Sequence, residues 1–218
     1  MIAQFGIVWS HRDLLIDGFL TTLWLSALSA VAALALGAAL AMALMSRRPV
    51  LARASNVLVD ALRCVPFLLF AYIVYYGLPS VGLRFSNWSS GLFALIVYNT
   101  AYMAELLRGA WRGLPVEMIE AGHAFGFRRF SLFRRIILPP VMFAAFPMIG
   151  NQLIQIIKDS AFLTIIAVAE LTHAATVIQA TYFLPFAAFI TALLLYWVLC
   201  LCVEQLVRLV GVHAELRR

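Results

Sequence analysis

The chain has 218 residues, 64% of them hydrophobic and only 12% charged, with a mean hydropathy of +0.97 and a formal net charge of +6. Soluble domains carry about 25% charged residues, so this composition excludes an ordinary soluble enzyme and indicates a polytopic membrane protein. In such a chain the positive balance marks cytoplasmic loops and anionic-lipid contacts, not nucleic-acid binding.

The first residues lack a basic segment followed by a small-residue cleavage site. Asp13 and Asp17 interrupt them instead, so the first span is expected to insert and stay. A membrane-crossing helix needs about 20 largely apolar residues. Five segments supply them, at about 18–46, 64–83, 88–108, 136–157 and 183–203. The second lies between Arg63 and Arg84, and the third begins near Trp88, after the polar "SNWSS". Between Ser160 and Tyr182 the chain is too polar for a plain span. It is expected to form short helices or re-entrant backbone, buried in protein or lining a cavity. The expected fold is therefore all-α, one transmembrane domain over 1–218 with five spans and termini on opposite sides.

Most basic residues fall on one side: Arg47, Arg48 and Arg53, the segment from Arg108 to Arg135, and Arg208, Arg217 and Arg218 near the C-terminus. The other side has Arg12 and Arg84. The positive-inside rule then makes the C-terminus cytoplasmic and the N-terminus external. Cys64, Cys200 and Cys202 lie in or beside apolar runs and read as small hydrophobes. Histidines at 11, 123, 173 and 213 have no ligand spacing, so no metal site is expected. There is no GxxxxGK(S/T) phosphate loop, no HExxH and no GxSxG. The chain should bind no ATP itself and should not be an enzyme.

The loop at 113–135 is the most basic stretch. Pro115 suits a first helical position, and a helix of about three turns should run from Val116 to Phe125. Glu117 and Glu120 fall in its early turns, where the helix dipole favours acids. Gly126 is placed to end it in a left-handed conformation. A second, arginine-rich helix should follow from Phe127 to Arg135, and Leu138-Pro139-Pro140 should lead into the fourth span. By composition alone this could be an ordinary basic loop that binds anionic lipid.

The spacing Glu120-Ala121-Gly122, then Gly126, then Ile136, Leu138 and Pro139 resembles the EAA loop of permease subunits in bacterial ABC importers. Gly122 stands where that pattern has a second alanine. The flanking "YMAELLRGAWRGLP" and "GNQLIQIIKDSAFLTIIAVAELT" are similar to the branch that carries polar amino acids such as histidine, glutamine, arginine, glutamate or opines. "RCVP" at Arg63 to Pro66 departs from the Arg-Gly-Thr-Pro frequent there. The resemblance implies a type I importer permease fold in the bacterial inner membrane, with a periplasmic N-terminus. It implies a permease dimer with a second copy or paralogue, two ATPase subunits that carry ATP and Mg²⁺, and a periplasmic substrate-binding protein. It makes the short helix a coupling helix in a groove of the ATPase. Ala121, Gly122 and Ala124 would allow close approach, Glu120 would cap or pair, and His123 would lie at the surface.

An amino acid is a zwitterion and needs both donors and acceptors at membrane depth, where unpaired charge is costly. Lys158, Asp159 and Ser160 supply both signs near the end of the fourth span, and Glu170 adds a further acid. The alternatives are a local Lys158–Asp159 pair and an interfacial Glu170. On the third span Tyr98, Tyr102 and Glu105 share a face, with Asn99 and Thr100 beside them. They would line a path, or form a packed aromatic face with a Glu105–Arg108 pair. Gln152 and Gln155 are placed to hydrogen-bond between helices. The expected function is translocation of a polar amino acid or related small zwitterion, with ATP hydrolysed on another chain. A self-contained secondary transporter or channel is the alternative, and it would need its own coupling-ion site. A structural membrane protein with a lipid-binding loop is a third reading.

Overall fold

The computed structural model describes residues 2–215, with side chains from 4 to 211. Arg217 and Arg218 and the side chain of His213 lie outside them. Among the described residues there are ten α-helices and no strand. They are α1 (Ile2–Ser10), α2 (Arg12–Leu44), α3 (Pro49–Cys64), α4 (Phe67–Gly77), α5 (Asn87–Arg112), α6 (Val116–Ala124), α7 (Arg129–Leu132), α8 (Leu138–Ser160), α9 (Leu171–Tyr182) and α10 (Pro185–Glu215). Four helical stretches are long and apolar enough to cross a membrane: Arg12–Leu44, Asn87–Arg112, Arg129–Ile166 and Pro185–Gly211. A bent pair, α3 with α4 and the turn to Val81, passes the same test only when its two halves are taken together, which would make five.

The expected span at 64–83 holds α4 and the 3-10 turn that follows it to Val81, and α3 precedes it across a sharp break. The helices Pro49–Cys64 and Phe67–Val81 meet at an angle of 105° across Val65-Pro66. The cause is local. Proline pushes the preceding residue out of the helical region, and Val65 is extended at φ −98°, ψ 135°. Arg63, expected to bound the span, therefore lies just before its break. The helical stretch that holds the fourth span runs beyond 136–157 at both ends, from Arg129 to Ile166. The expected helix from Phe127 to Arg135 is not separate: α7 continues through a π-helical turn at Phe133–Ile137 straight into α8. A proline has no N–H for the usual bond four residues back. The wide turn lies immediately before Pro139 and Pro140 and lets the helix pass them without a stop.

Helices α2 and α5 pack through small residues. Ala30, Ala33, Gly37 and Ala41 recur at helical spacing on α2 and are buried, as are Ala101, Met103 and Ala104 on α5. A Cβ on Gly37 would sit 2.6 Å from Met103 Cβ and 3.1 Å from the Ala104 backbone nitrogen. In a bilayer apolar burial gives little drive, and close van der Waals approach of backbones supplies it. Several serine and threonine hydroxyls inside the spans bond back to their own helix, as Ser29 does to Leu25 O and Thr100 to Ile96 O. The outward faces of α2 and α10 carry exposed Leu20, Trp24, Val31, Leu193 and Trp197.

Between Ser160 and Tyr182 the chain forms a 3-10 turn at Ala161–Ile166 and then α9. Ala167 turns the chain between them at φ +54°. Helix α9 packs against both α2 and α10. A Cβ on Gly18 would meet Glu170 O at 3.0 Å, and Thr22 accepts the Leu171 N–H at 3.1 Å.

Candidate functional site

The first site is the turn after α6. Pro115 caps the helix at φ −58°, ψ 132°. Gly126 adopts φ +73°. The Phe127 N–H reaches Gly122 O at 3.1 Å and the Gly126 N–H reaches His123 O at 2.9 Å. These two bonds form a Schellman motif, which needs a left-handed residue at the position of Gly126. Gly122 is the one buried residue of α6, and a Cβ there would clash with Leu132 Cδ1. The helix lies directly on α7, and an alanine at Gly122 would require the Leu132 side chain to shift.

The opposite face of α6 is open. Glu117, Glu120, Ala121, His123 and Ala124 are exposed. Phe125 is 83% exposed and Phe130 73% exposed. Arg128, Arg129, Arg134 and Arg135 are exposed too, and none is in an ion pair among the described residues. The segment thus presents a short helix, two protruding aromatic rings and four cations on one side of the bundle. Sequence reasoning missed Phe125 and Phe130 as surface groups. An aromatic residue directly before a terminating glycine was the signal. Leu138 is half-buried and Pro139 exposed at the root of α8.

The second site lies between α5 and α8. Asn99 is fully buried, donates to Leu95 O at 2.9 Å and accepts from Gln152 Nε2 at 2.7 Å. Gln155 Nε2 donates to Asp159 Oδ1 at 2.8 Å, within its own helix. Asp159 is 3% exposed, and the Asn99 side chain also lies against its carboxylate. Lys158 points elsewhere. It is exposed, beside Tyr196, Cys200 and Glu204 of α10. The local Lys158–Asp159 pair does not form, because adjacent helical residues do not face each other. Ser160 is buried and bonds back to Ile157 O at 2.7 Å.

The tyrosines of α5 close the break in the second span. Tyr98 Oη donates to Val65 O at 3.0 Å and Tyr102 Oη to Arg63 O at 3.3 Å. The Arg63 guanidinium lies 5.6 Å from the Tyr102 ring centre. These phenols satisfy carbonyls freed where α3 ends, as irregular backbone inside a membrane protein requires. Glu105 pairs with Arg108 at 2.7 Å, and Arg108 Nη1 also donates to Asn56 Oδ1 on α3 at 2.6 Å. Both charges of that pair are already engaged.

Glu170 is fully buried at the start of α9. Its carboxylate accepts the N–H of Thr172 at 2.8 Å and of His173 at 2.7 Å, and the Tyr196 hydroxyl at 2.7 Å. It is an N-cap that also ties α9 to α10.

The model of the family described as "Binding-protein-dependent transport system inner membrane component" matches residues 15–212. The chain is 35% identical over 176 residues to the octopine transport system permease protein OccQ of Rhizobium meliloti, covering 75% of this chain and 74% of that one. It is 30% identical over 172 residues to the glutamine transport system permease protein GlnP of Escherichia coli (strain K12), covering 78% of each. The crystal structure of an amino acid ABC transporter with histidines superposes with a TM-score of 0.90 at 26% identity, over 96% of this chain and 98% of that chain. An inward-facing methionine ABC transporter, MetNI, shares the fold at 18% identity and a TM-score of 0.70.

Proposed function

The chain belongs to the family of binding-protein-dependent transport system inner membrane components, and on that premise we propose that it is the translocating subunit of an ATP-driven importer for a polar amino acid or related small zwitterion. A periplasmic binding protein delivers the substrate, a second permease copy or paralogue completes the path, and separate ATPase subunits dock on α6. The observation that carries this reading is the open face of α6, held at its end by Gly126 and flanked by unpaired arginines. A helix locked onto α7 at one face and exposed at the other can transmit a rigid-body movement of a docked partner into the spans. Glu117, Glu120, Ala121 and Ala124 make the contact; Gly122 and Gly126 hold the helix in place; Leu138 and Pro139 carry the motion into α8. The relatives named for glutamine and octopine support the substrate class. Asn99, Asp159 and the polar groups beside them form the substrate path. Lys158, Thr100, Tyr102, Glu105, Ser160 and Glu170 border it or hold its walls.

The coupling role is tested at Gly126. A β-branched residue at φ +73° is strained by about 1–2 kcal/mol. Gly126→Val should open the Schellman turn and reduce stimulation of the ATPase by liganded binding protein at least about tenfold. Gly126→Asn, which tolerates the left-handed region, should retain most of it. Equal stimulation in the valine variant and the native complex, measured in reconstituted vesicles, would contradict the role.

Orientation follows from the arginines. In a cysteine-free background, a cysteine replacing exposed Ser86 should react with a membrane-impermeant thiol reagent added outside, and one replacing exposed Phe130 should not. Equal labelling of the two in intact spheroplasts would refute the assignment of a periplasmic N-terminus and cytoplasmic C-terminus.

A further inference from the structure

An apolar groove of about 390 Å³ lies between the α1–α2 helices and α10, away from both sites above. Phe5, Trp9, Ile16 and Phe19 form one wall, at helical spacing across the α1–α2 junction, and Leu195 with Thr191 forms the other. Arg12 is the single charged residue in its lining. Its place along the chain is informative. The uncharged run of the first span begins at Gly18, so Arg12 sits at the level where hydrocarbon gives way to headgroups. Trp9, 70% exposed one turn before it, is the residue type that gathers at that level.

We infer that this groove is a phospholipid site for a zwitterionic headgroup carrying a primary ammonium. One acyl chain lies along the apolar walls. The phosphate sits on the Arg12 guanidinium, whose planar fork matches phosphate oxygens. The charge balance sets the headgroup. Asp13 is 87% exposed and its carboxylate lies 4.0 Å from Arg12 Nε, at the outer limit of an ion pair, so neither group is closed off. Asp17 is exposed one turn further on. A guanidinium beside a carboxylate complements a phosphate beside an ammonium. An anionic headgroup without an ammonium would place its phosphate near the Asp13 carboxylate with nothing to offset it. A quaternary ammonium would supply charge but no hydrogen-bond donor to Asp13.

The test is native mass spectrometry of the full-length chain purified in detergent, titrated with phosphatidylethanolamine, phosphatidylglycerol or phosphatidylcholine. One phosphatidylethanolamine per chain should be retained about tenfold more tightly than either other lipid. Arg12→Gln should remove that preference. Thr191→Trp, which fills the groove, should remove the bound lipid while the melting temperature in detergent stays within a few degrees of native. Retention of all three lipids alike, in native chain and Arg12→Gln, would show annular lipid only and overturn the proposal. So would cysteine cross-linking between the grooves of two chains that added phosphatidylethanolamine fails to suppress, since a second copy would then cover the face.

Discussion

Asp159→Asn is expected to lower transport per assembled transporter about 10- to 100-fold while leaving assembly intact. The carboxylate is 3% exposed, held by Gln155 within α8 and by Asn99 from α5, with no cation paired to it among the described residues. A buried carboxylate without a paired cation is costly, and a substrate ammonium arriving between α5 and α8 would supply one. A charge-assisted hydrogen bond of this kind contributes about 1.5–3 kcal/mol, equivalent to roughly 10–100-fold in affinity. Asparagine keeps the size and the oxygen that accepts from Gln155, so the local packing survives. Removing a buried charge is often neutral or stabilising when its role is only structural. Full uptake by Asp159→Asn would therefore reject the substrate role. The double variant Lys158→Met, Asp159→Asn should transport no better than Asp159→Asn, because Lys158 faces α10 and does not neutralise Asp159. Binding by the receptor protein should be unchanged in both.

The second large effect is on stability. Glu170→Ala strands two backbone N–H groups of α9 and the Tyr196 hydroxyl in a site with no solvent access. Loss of an N-cap costs about 0.5–2 kcal/mol, and a buried donor left unpaired about 1–3 kcal/mol. A loss of about 3 kcal/mol is expected, enough to reduce the folded fraction of a marginally stable chain sharply. Glu170→Gln retains one acceptor oxygen and should fall between. Thermal melting of the purified chain in detergent reads the order native, then glutamine, then alanine. If alanine melted with the native protein, the cap would not be what holds α9 against α10.

Which features the sequence revealed follows from how local their causes are. Uncharged runs reported where α2, α5, α8 and α10 cross, because hydropathy alone decides insertion. The end of α6 was legible because only a residue free to take positive φ suits that turn, and Gly126 is there. Other features needed tertiary knowledge. Pro66 was a visible breaker, but the charge on Arg63 beside it suggested a span boundary. The carbonyls freed there are satisfied by Tyr98 and Tyr102 from another helix. Lys158 and Asp159 are adjacent in sequence, so on a helix they take different faces, but only the packing of α8 against α5 and α10 decides which of them is buried. Glu170 looked like an interfacial acid because its partners, Tyr196 above all, lie on α10. The prolines of α8 read as a boundary because the π-helical turn that accommodates them has no composition signal.

The distinction that matters most is between an ATP-coupled path and a self-contained one. Proteoliposomes holding this chain, its permease partner, the cognate ATPase and the liganded binding protein should accumulate the labelled amino acid only when ATP is supplied. Uptake should cease when the ATPase is omitted, whatever sodium or proton gradient is imposed. Uptake driven by an ion gradient through vesicles lacking the ATPase would contradict the account and make the chain a secondary transporter.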